Sequence, residues 1–321
     1  MSSSNPSRPL KSPVAWSLAL AAAIAIVWLD RASAAAGPIV LLLLSGTIGV
    51  FHGALDGSIL LRQFQPVARA LGWGLAYLLV VVLLGVGLLP YPELTLLLLL
   101  ALSVWHFGEI YERPLPALRW AALATRLVAG GAPVMVPALI SANQLSSLSP
   151  AWTSPHQPWL MQAWTVMAWV WLALLAGYTL WCVVAHVRVP RWLLGELVLV
   201  VTLNLLLTPA MAFAIYFGLY HALGHVWRVL RAVTSLDAAA FRTVTAILVL
   251  TVALAAGLLG LMLSSVQIKL AAAPDSYLPL LVHWLIVGLT ALTVPHLVLI
   301  SHCAPMLAGK IPPKPNTQTS D

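Results

Sequence analysis

The sequence predicts an all-α fold: a polytopic transmembrane helical bundle of about ten spanning helices, with its N-terminus in the cytoplasm. Three observations predict it. Of 321 residues, 61% are hydrophobic and only 8% are charged, against roughly 25% charged in soluble domains. The apolar residues gather in runs of about 20, the length that crosses a bilayer as a helix. The basic residues fall in alternate loops between those runs, which is the asymmetry that orients membrane proteins.

Ten runs qualify, at about 14–30, 38–61, 70–90, 93–111, 118–140, 159–186, 192–208, 210–230, 243–266 and 277–301. The first follows Arg8 and Lys11 and is read as a retained span rather than a cleaved signal peptide. Only Thr208 and Pro209 separate the seventh from the eighth, a tight hairpin. Proline fits there because it has no N–H to give to a continuing helix. The organisation expected is a polar N-terminal tail at 1–13, one transmembrane domain at 14–309 and a polar C-terminal tail at 310–321.

With the N-terminus inside, Arg8, Lys11, Arg62, Arg69, Arg113, Arg119, Arg188, Arg191, Arg228, Arg231, Arg242, Lys310 and Lys314 are all cytoplasmic. Arg31 and Lys269 fall outside, and Arg126 lies within a span. The net charge of +7 and pI of 9.8 are explained by these flanking residues. No nucleic-acid partner is expected. The expected location is the inner (cytoplasmic) membrane, with membrane lipid as the solvent. Cys182 and Cys303 form no CxxC motif, so neither a disulfide framework nor a thiolate metal site is predicted.

Ionisable residues inside spans are costly and usually face the bundle interior. They are His52 and Asp56 in the second span, His106 and Glu109 in the fourth, and Glu196 in the seventh, beside the polar Asn204. His221 and His225 follow in the eighth, and His283 and His296 in the tenth. At about 1.5 Å rise per residue, His52, His106, His221, His225 and His296 all lie toward the cytoplasmic ends of four spans running in one direction. Scattered core histidines would not coincide in depth in this way. His221 and His225, spaced i and i+4, share a helix face, a spacing that suits joint chelation of one cation. The cluster is therefore read as a metal site. Imidazole suits zinc, copper, iron and nickel. An all-nitrogen set in an apolar cavity suits Fe(II) and O2, and fits zinc as well.

Asp56 and Glu109 each follow a histidine by about one turn. Each either orients a ligating ring, on its own helix or a neighbour, or simply lies at the inner interface. Glu196 is read as an interfacial ion pair with Arg191. His296, after Pro295, is either a fifth ligand or a pocket residue, with the pocket or orienting role preferred. His156, His186, His283 and His302 are read as interfacial. Trp105, Phe107, Tyr216, Phe217, Tyr220 and Trp227 flank the histidines and either line a slot for a long apolar ligand or pack as ordinary core.

Four motifs stand in order: Phe51-His52-Gly53-Ala54-Leu55-Asp56, Trp105-His106-Phe107-Gly108, Tyr216-Phe217-Gly218-Leu219-Tyr220-His221-Ala222-Leu223-Gly224-His225, and Pro295-His296-Leu297. Together they resemble the Brp/Blh family of membrane-bound β-carotene 15,15′-dioxygenases over about residues 40–305. The resemblance implies a non-haem Fe(II) enzyme that uses O2 to split the central double bond of β-carotene into two retinals. It implies iron ligands at His52, His106, His221 and His225, and a rhodopsin apoprotein as a downstream partner. Gly224 departs from the family pattern, in which a basic residue often precedes the second histidine of that motif.

Two other classes compete with this reading. A haem protein needs two rings facing each other across the macrocycle, which His221 and His225 on one face do not supply. A metal or proton transporter needs polar residues continuing across the bilayer, and the outer half is sparsely polar apart from Asn204 and His283. An enzyme of the same fold acting on another carotenoid or apocarotenoid is a third alternative.

Overall fold

The computed structural model describes residues 40–41, 43–64, 66–109, 118–145, 158–234, 246 and 277–307. The expected first span, the polar tails, His156 and, apart from residue 246, the ninth span lie outside these residues. Every element among the described residues is helical. A π-helical turn, Ser45–Gly49, leads into α1 (Val50–Ala54), α2 (Asp56–Gln63), α3 (Val67–Leu88) and α4 (Pro92–Gly108). Then come α5 (Arg119–Ile140), α6 (Ala142–Leu145), α7 (Pro158–Val184) and α8 (Arg191–Leu206). Next are α9 (Pro209–Ile215), a second π-helical segment (Tyr216–Ala222), α10 (Leu223–Thr234) and α11 (Tyr277–Leu307).

Among the described residues, four helices are long and apolar enough to cross a membrane: α3, α5, α7 over Trp159–Val184, and α11 over Val282–Cys303. The shorter α4 is also apolar. The runs expected as the second and eighth spans are each built from short pieces, because an α-helix is interrupted in both by a π-helical segment. There the backbone bonds run i→i+5 rather than i→i+4. The expected hairpin is present: Leu207 and Thr208 leave the helix, and Pro209 occupies the first turn of α9, where its missing N–H costs nothing.

Burial divides the helices into two kinds. The hydrophobic window of α3 is only 6% buried, with Leu71, Leu75, Leu83 and Val86 on the surface. On α7, Trp164, Ala168, Trp171, Tyr178 and Cys182 are buried while Val166, Trp169, Val170, Leu180 and Val183 face outward. Both faces of α7 are apolar, so its outward face requires an apolar solvent. These outward faces mark a membrane protein.

The opposite case is α5, whose window is 72% buried. It packs against α4, α7 and α8. Its small residues, Ala121, Ala124, Ala129, Gly130, Gly131 and Ala132, are all buried and let neighbouring backbones come close, as membrane helices often do. A Cβ built on Gly130 would overlap the Val104 carbonyl and the Gly108 backbone of α4, and one on Gly108 would overlap the Arg126 carbonyl. Two buried indoles of this layer are satisfied. Trp164 Nε1 donates to the Val134 carbonyl (3.0 Å) and Trp171 Nε1 to the Val128 carbonyl (3.2 Å).

Helix α11 packs against both α3 and α4, the two π-helical segments pack against each other, and α10 contacts α1, α2 and α11. This arrangement brings α1, the end of α4, the second π-helical segment, α10 and the middle of α11 together. Cys182 and Cys303 are buried free thiols, in accord with the absence of any expected disulfide framework.

Candidate metal centre

Those five segments each deliver one histidine. His52 comes from α1, His106 from the last turn of α4, His221 from the second π-helical segment, His225 from α10 and His296 from α11. His52, His106, His225 and His296 are buried, and His221 is half-buried. The His52 ring lies at the middle of the group. Its centroid is 4.4 Å from that of His225, 4.6 Å from His296, 5.5 Å from His221 and 5.6 Å from His106. His106 is 4.7 Å from His221 and 4.9 Å from His296, and His225 is 5.3 Å from His296.

Donor atoms within 4.8 Å of one another form two triplets, His52–His106–His221 and His52–His225–His296, with His52 common to both. His106 Nε2 and His221 Nε2 are 2.9 Å apart. Two ring nitrogens at that distance share either a proton or a cation. His52 Nε2 and His296 Nε2 are buried and have no hydrogen-bond partner among the described residues. A buried nitrogen without a partner is costly, and a cation would satisfy both. The residues present therefore fit a metal ion. The donors are all imidazole, the type that suits iron, zinc, copper and nickel.

The structure adds detail that residue spacing does not carry. His221 and His225 both approach His52 yet fall in different triplets. His221 sits within the π-helical segment, which changes the angular register, so the pair does not present one α-helical face. Such π-bulges recur at functional sites. Gly49, at the end of the first π-helical turn, faces the Phe217 ring, and an added Cβ there would lie 2.8 Å from Phe217 Cε1.

Of the two carboxylates, Asp56 is the one on a cluster ring. Its Oδ1 and Oδ2 lie 2.9 and 2.8 Å from His296 Nδ1, so it serves a neighbouring helix and not its own His52. Tyr77 Oη donates to Asp56 Oδ2 at 2.8 Å, a partner that residue spacing did not reveal. Glu109 instead accepts from Ser301 Oγ at 2.6 Å. His296, expected to be a pocket or orienting residue, stands inside the cluster.

Phe107 is buried with its ring 4.7 Å from that of His221, and Phe217 stacks on His221 at 6.2 Å. Phe213 stacks on Phe217 at 5.7 Å, and Tyr220 lies 5.4 Å from Tyr216. These rings form an apolar wall on one side of the histidines. Trp105 and Trp227, by contrast, are 45% and 52% exposed and turn outward. His283 Nε2 lies 3.3 Å from the Leu89 carbonyl. His302 is exposed and stacks on Phe64, and His186 ends α7 with a left-handed φ of 53°.

Glu196 corrects an expectation. It is buried and accepts from Tyr216 Oη at 2.7 Å, rather than forming an interfacial pair with Arg191. A buried hydrogen bond contributes about 0.5–1.5 kcal/mol. Tyr216→Phe is therefore expected to lower the thermal midpoint of detergent-solubilised protein by several degrees, read by tryptophan fluorescence. An unchanged midpoint would show that Tyr216 is held by packing alone.

The family described as "Beta-carotene 15,15'-dioxygenase" matches residues 43–303 of this chain. A relative of that name from the uncultured marine bacterium 66A03 is 28% identical over 267 residues, covering 79% of this chain and 89% of its own length. No solved structure matches the chain. The match spans most of the sequence and includes all five clustered histidines. The chain belongs to the β-carotene 15,15′-dioxygenase family.

Proposed function

We propose that this family member is a membrane-embedded non-haem iron dioxygenase that cleaves the central 15,15′ double bond of β-carotene with O2, giving two molecules of all-trans-retinal. The observation that carries this reading is the gathering of five imidazoles from separate helical segments, with buried ring nitrogens aimed at one another. The reaction balances without an outside reductant. The C15=C15′ and O=O bonds are lost, and two C=O bonds form. Bound Fe(II) would supply the activation of O2 that this spin-restricted chemistry needs.

The chain's own residues do the rest. His52, His106, His221 and His225 hold the metal as neutral imidazoles. Phe107, Phe217 and Tyr220 place the polyene beside it by apolar shape, since the substrate offers no polar handle near its centre. The substrate dissolves in the hydrocarbon layer, and an enzyme in the same layer receives it laterally. This role fits the apolar outward faces of α3 and α7. The same reading retains about ten spans, a cytoplasmic N-terminus, residence in the inner membrane, and delivery of retinal to a rhodopsin apoprotein.

Expression in a β-carotene-producing bacterium tests the reaction. Retinal should appear in the extract while the orange colour fades, and His106→Ala, His221→Ala and His225→Ala should each abolish this while still inserting in the membrane. Trp105→Ala should retain activity, because its ring faces outward. Persisting colour with inserted wild-type protein would reject the activity. Aldehydes of unequal length would move the assignment to off-centre cleavage of the same or a related carotenoid.

A further inference from the structure

The second triplet contains a histidine that the four-ligand assignment leaves out. His296 is 3% exposed, and its two ring nitrogens have different surroundings. Nδ1 lies against both oxygens of Asp56, at 2.8 and 2.9 Å. Nε2, on the opposite side of the ring, is buried without a hydrogen-bond partner among the described residues. One of the two ring nitrogens lies within 4.8 Å of ligand atoms of His52 and His225, whose ring centroids are 4.6 and 5.3 Å from that of His296. Asp56 is itself buried, and its Oδ2 also accepts from Tyr77 Oη at 2.8 Å.

We propose that His296 is a fifth imidazole ligand of the metal, and that Asp56 and Tyr77 are the positioning residues that aim it. The inference rests on the metal-centre reading above and deepens it. A carboxylate that takes the Nδ1 proton fixes the tautomer, leaving the Nε2 lone pair to face the cluster. Ligating histidines commonly carry such a partner on their second nitrogen. Tyr77 donates to Oδ2, which also faces His296 Nδ1, and so restricts rotation of the carboxylate about its own side chain.

The three residues come from three elements. Asp56 opens α2, Tyr77 lies midway along α3 and His296 lies on α11. Because α3 is otherwise apolar and outward-facing, the Tyr77 hydroxyl is a polar anchor on a lipid-facing helix. A satisfied Asp56–Tyr77 pair beside a core histidine would make structural sense alone. It would not account for a buried Nε2 without a hydrogen-bond partner among the described residues, in a ring 4.6 Å from His52 and 5.3 Å from His225.

The test is Co(II) binding to purified, detergent-solubilised protein, read from its visible absorption and by equilibrium dialysis. The variants are His52→Ala, His296→Ala, Asp56→Asn and Tyr77→Phe, each checked for monodispersity and helix content. Loss of a histidine's hydrogen-bonding partner lowers metal affinity by about 10- to 100-fold. Asp56→Asn should fall in that range, Tyr77→Phe should lose a few-fold, and His296→Ala should lose more than Asp56→Asn and change the cobalt spectrum. Added imidazole should restore the cobalt spectrum in His296→Ala, which a merely structural histidine would not allow.

If His52→Ala loses Co(II) while His296→Ala keeps wild-type affinity and spectrum, the fifth-ligand assignment is overturned and the metal centre stands. If wild-type protein binds no Co(II), the metal-centre reading fails and takes this one with it. Should His296→Ala fail to fold, Tyr77→Phe and Asp56→Asn decide. Wild-type affinity in both would overturn the positioning pair.

Discussion

His52→Ala is expected to bring retinal formation to background and to strip the metal from the purified protein, the largest loss from any single change at the cluster. His52 belongs to both triplets and has the other four rings around it. Removing any other histidine leaves one triplet intact, whereas removing His52 breaks both. Loss of a partner outside the ligand set already costs about 10- to 100-fold in affinity, so loss of a shared ligand should exceed that range. The side chain is buried, and alanine removes its ring nitrogens from the centre of the cluster. Metal content by elemental analysis after gel filtration, alongside retinoid chromatography, measures the effect. Retention of half the wild-type metal by this variant would remove His52 from the centre of the site.

The depth of the cluster could be read from the chain because helix rise is regular. Counting residues from span ends places His52, His106, His221, His225 and His296 at one level without knowing any contact. Their partners could not be read in the same way. Asp56 and His296 are 240 residues apart, and no periodicity links them. Tyr77 looks like one more aromatic in an apolar run until its hydroxyl is seen on Asp56.

The misreading of Glu196 has a geometric cause. Five residues separate it from Arg191, which places the two about 140° apart around a helix at 3.6 residues per turn. Nearness in sequence pointed to an ion pair that the helix surface does not bring together. The π-helical segments left no signal either. Ser45–Gly49 is rich in small residues and Tyr216–Ala222 in aromatic ones, compositions that regular helices also carry, and the two segments pack against each other. His221 lies inside the second of them and His225 in the helix that follows.

Gly130→Ala is expected to destabilise the protein by about 1–3 kcal/mol or more, the range for forcing extra volume into a packed core, and to weaken metal binding as well. The added Cβ would overlap the Val104 carbonyl and lie 2.5 Å from the Gly108 nitrogen. These are backbone atoms of α4, so no side chain can swing aside, and the helix itself must shift. Gly131 differs in kind, since its close neighbour is the Trp171 side chain rather than backbone. His106 lies between Val104 and Gly108, so a displacement of that turn moves a ring held 2.9 Å from His221 Nε2. Stability and metal affinity should therefore fall together in Gly130→Ala. Gly74→Ala on α3 is the matched control, because nothing lies within 4 Å of its added Cβ and alanine favours a helix over glycine by about 1 kcal/mol. Thermal unfolding in detergent, with bound metal measured on the same samples, distinguishes the two. A Gly130→Ala protein that melts and binds metal like wild type would mean that α4 and α5 can separate without disturbing the centre, and that His106 is positioned by something other than their close approach.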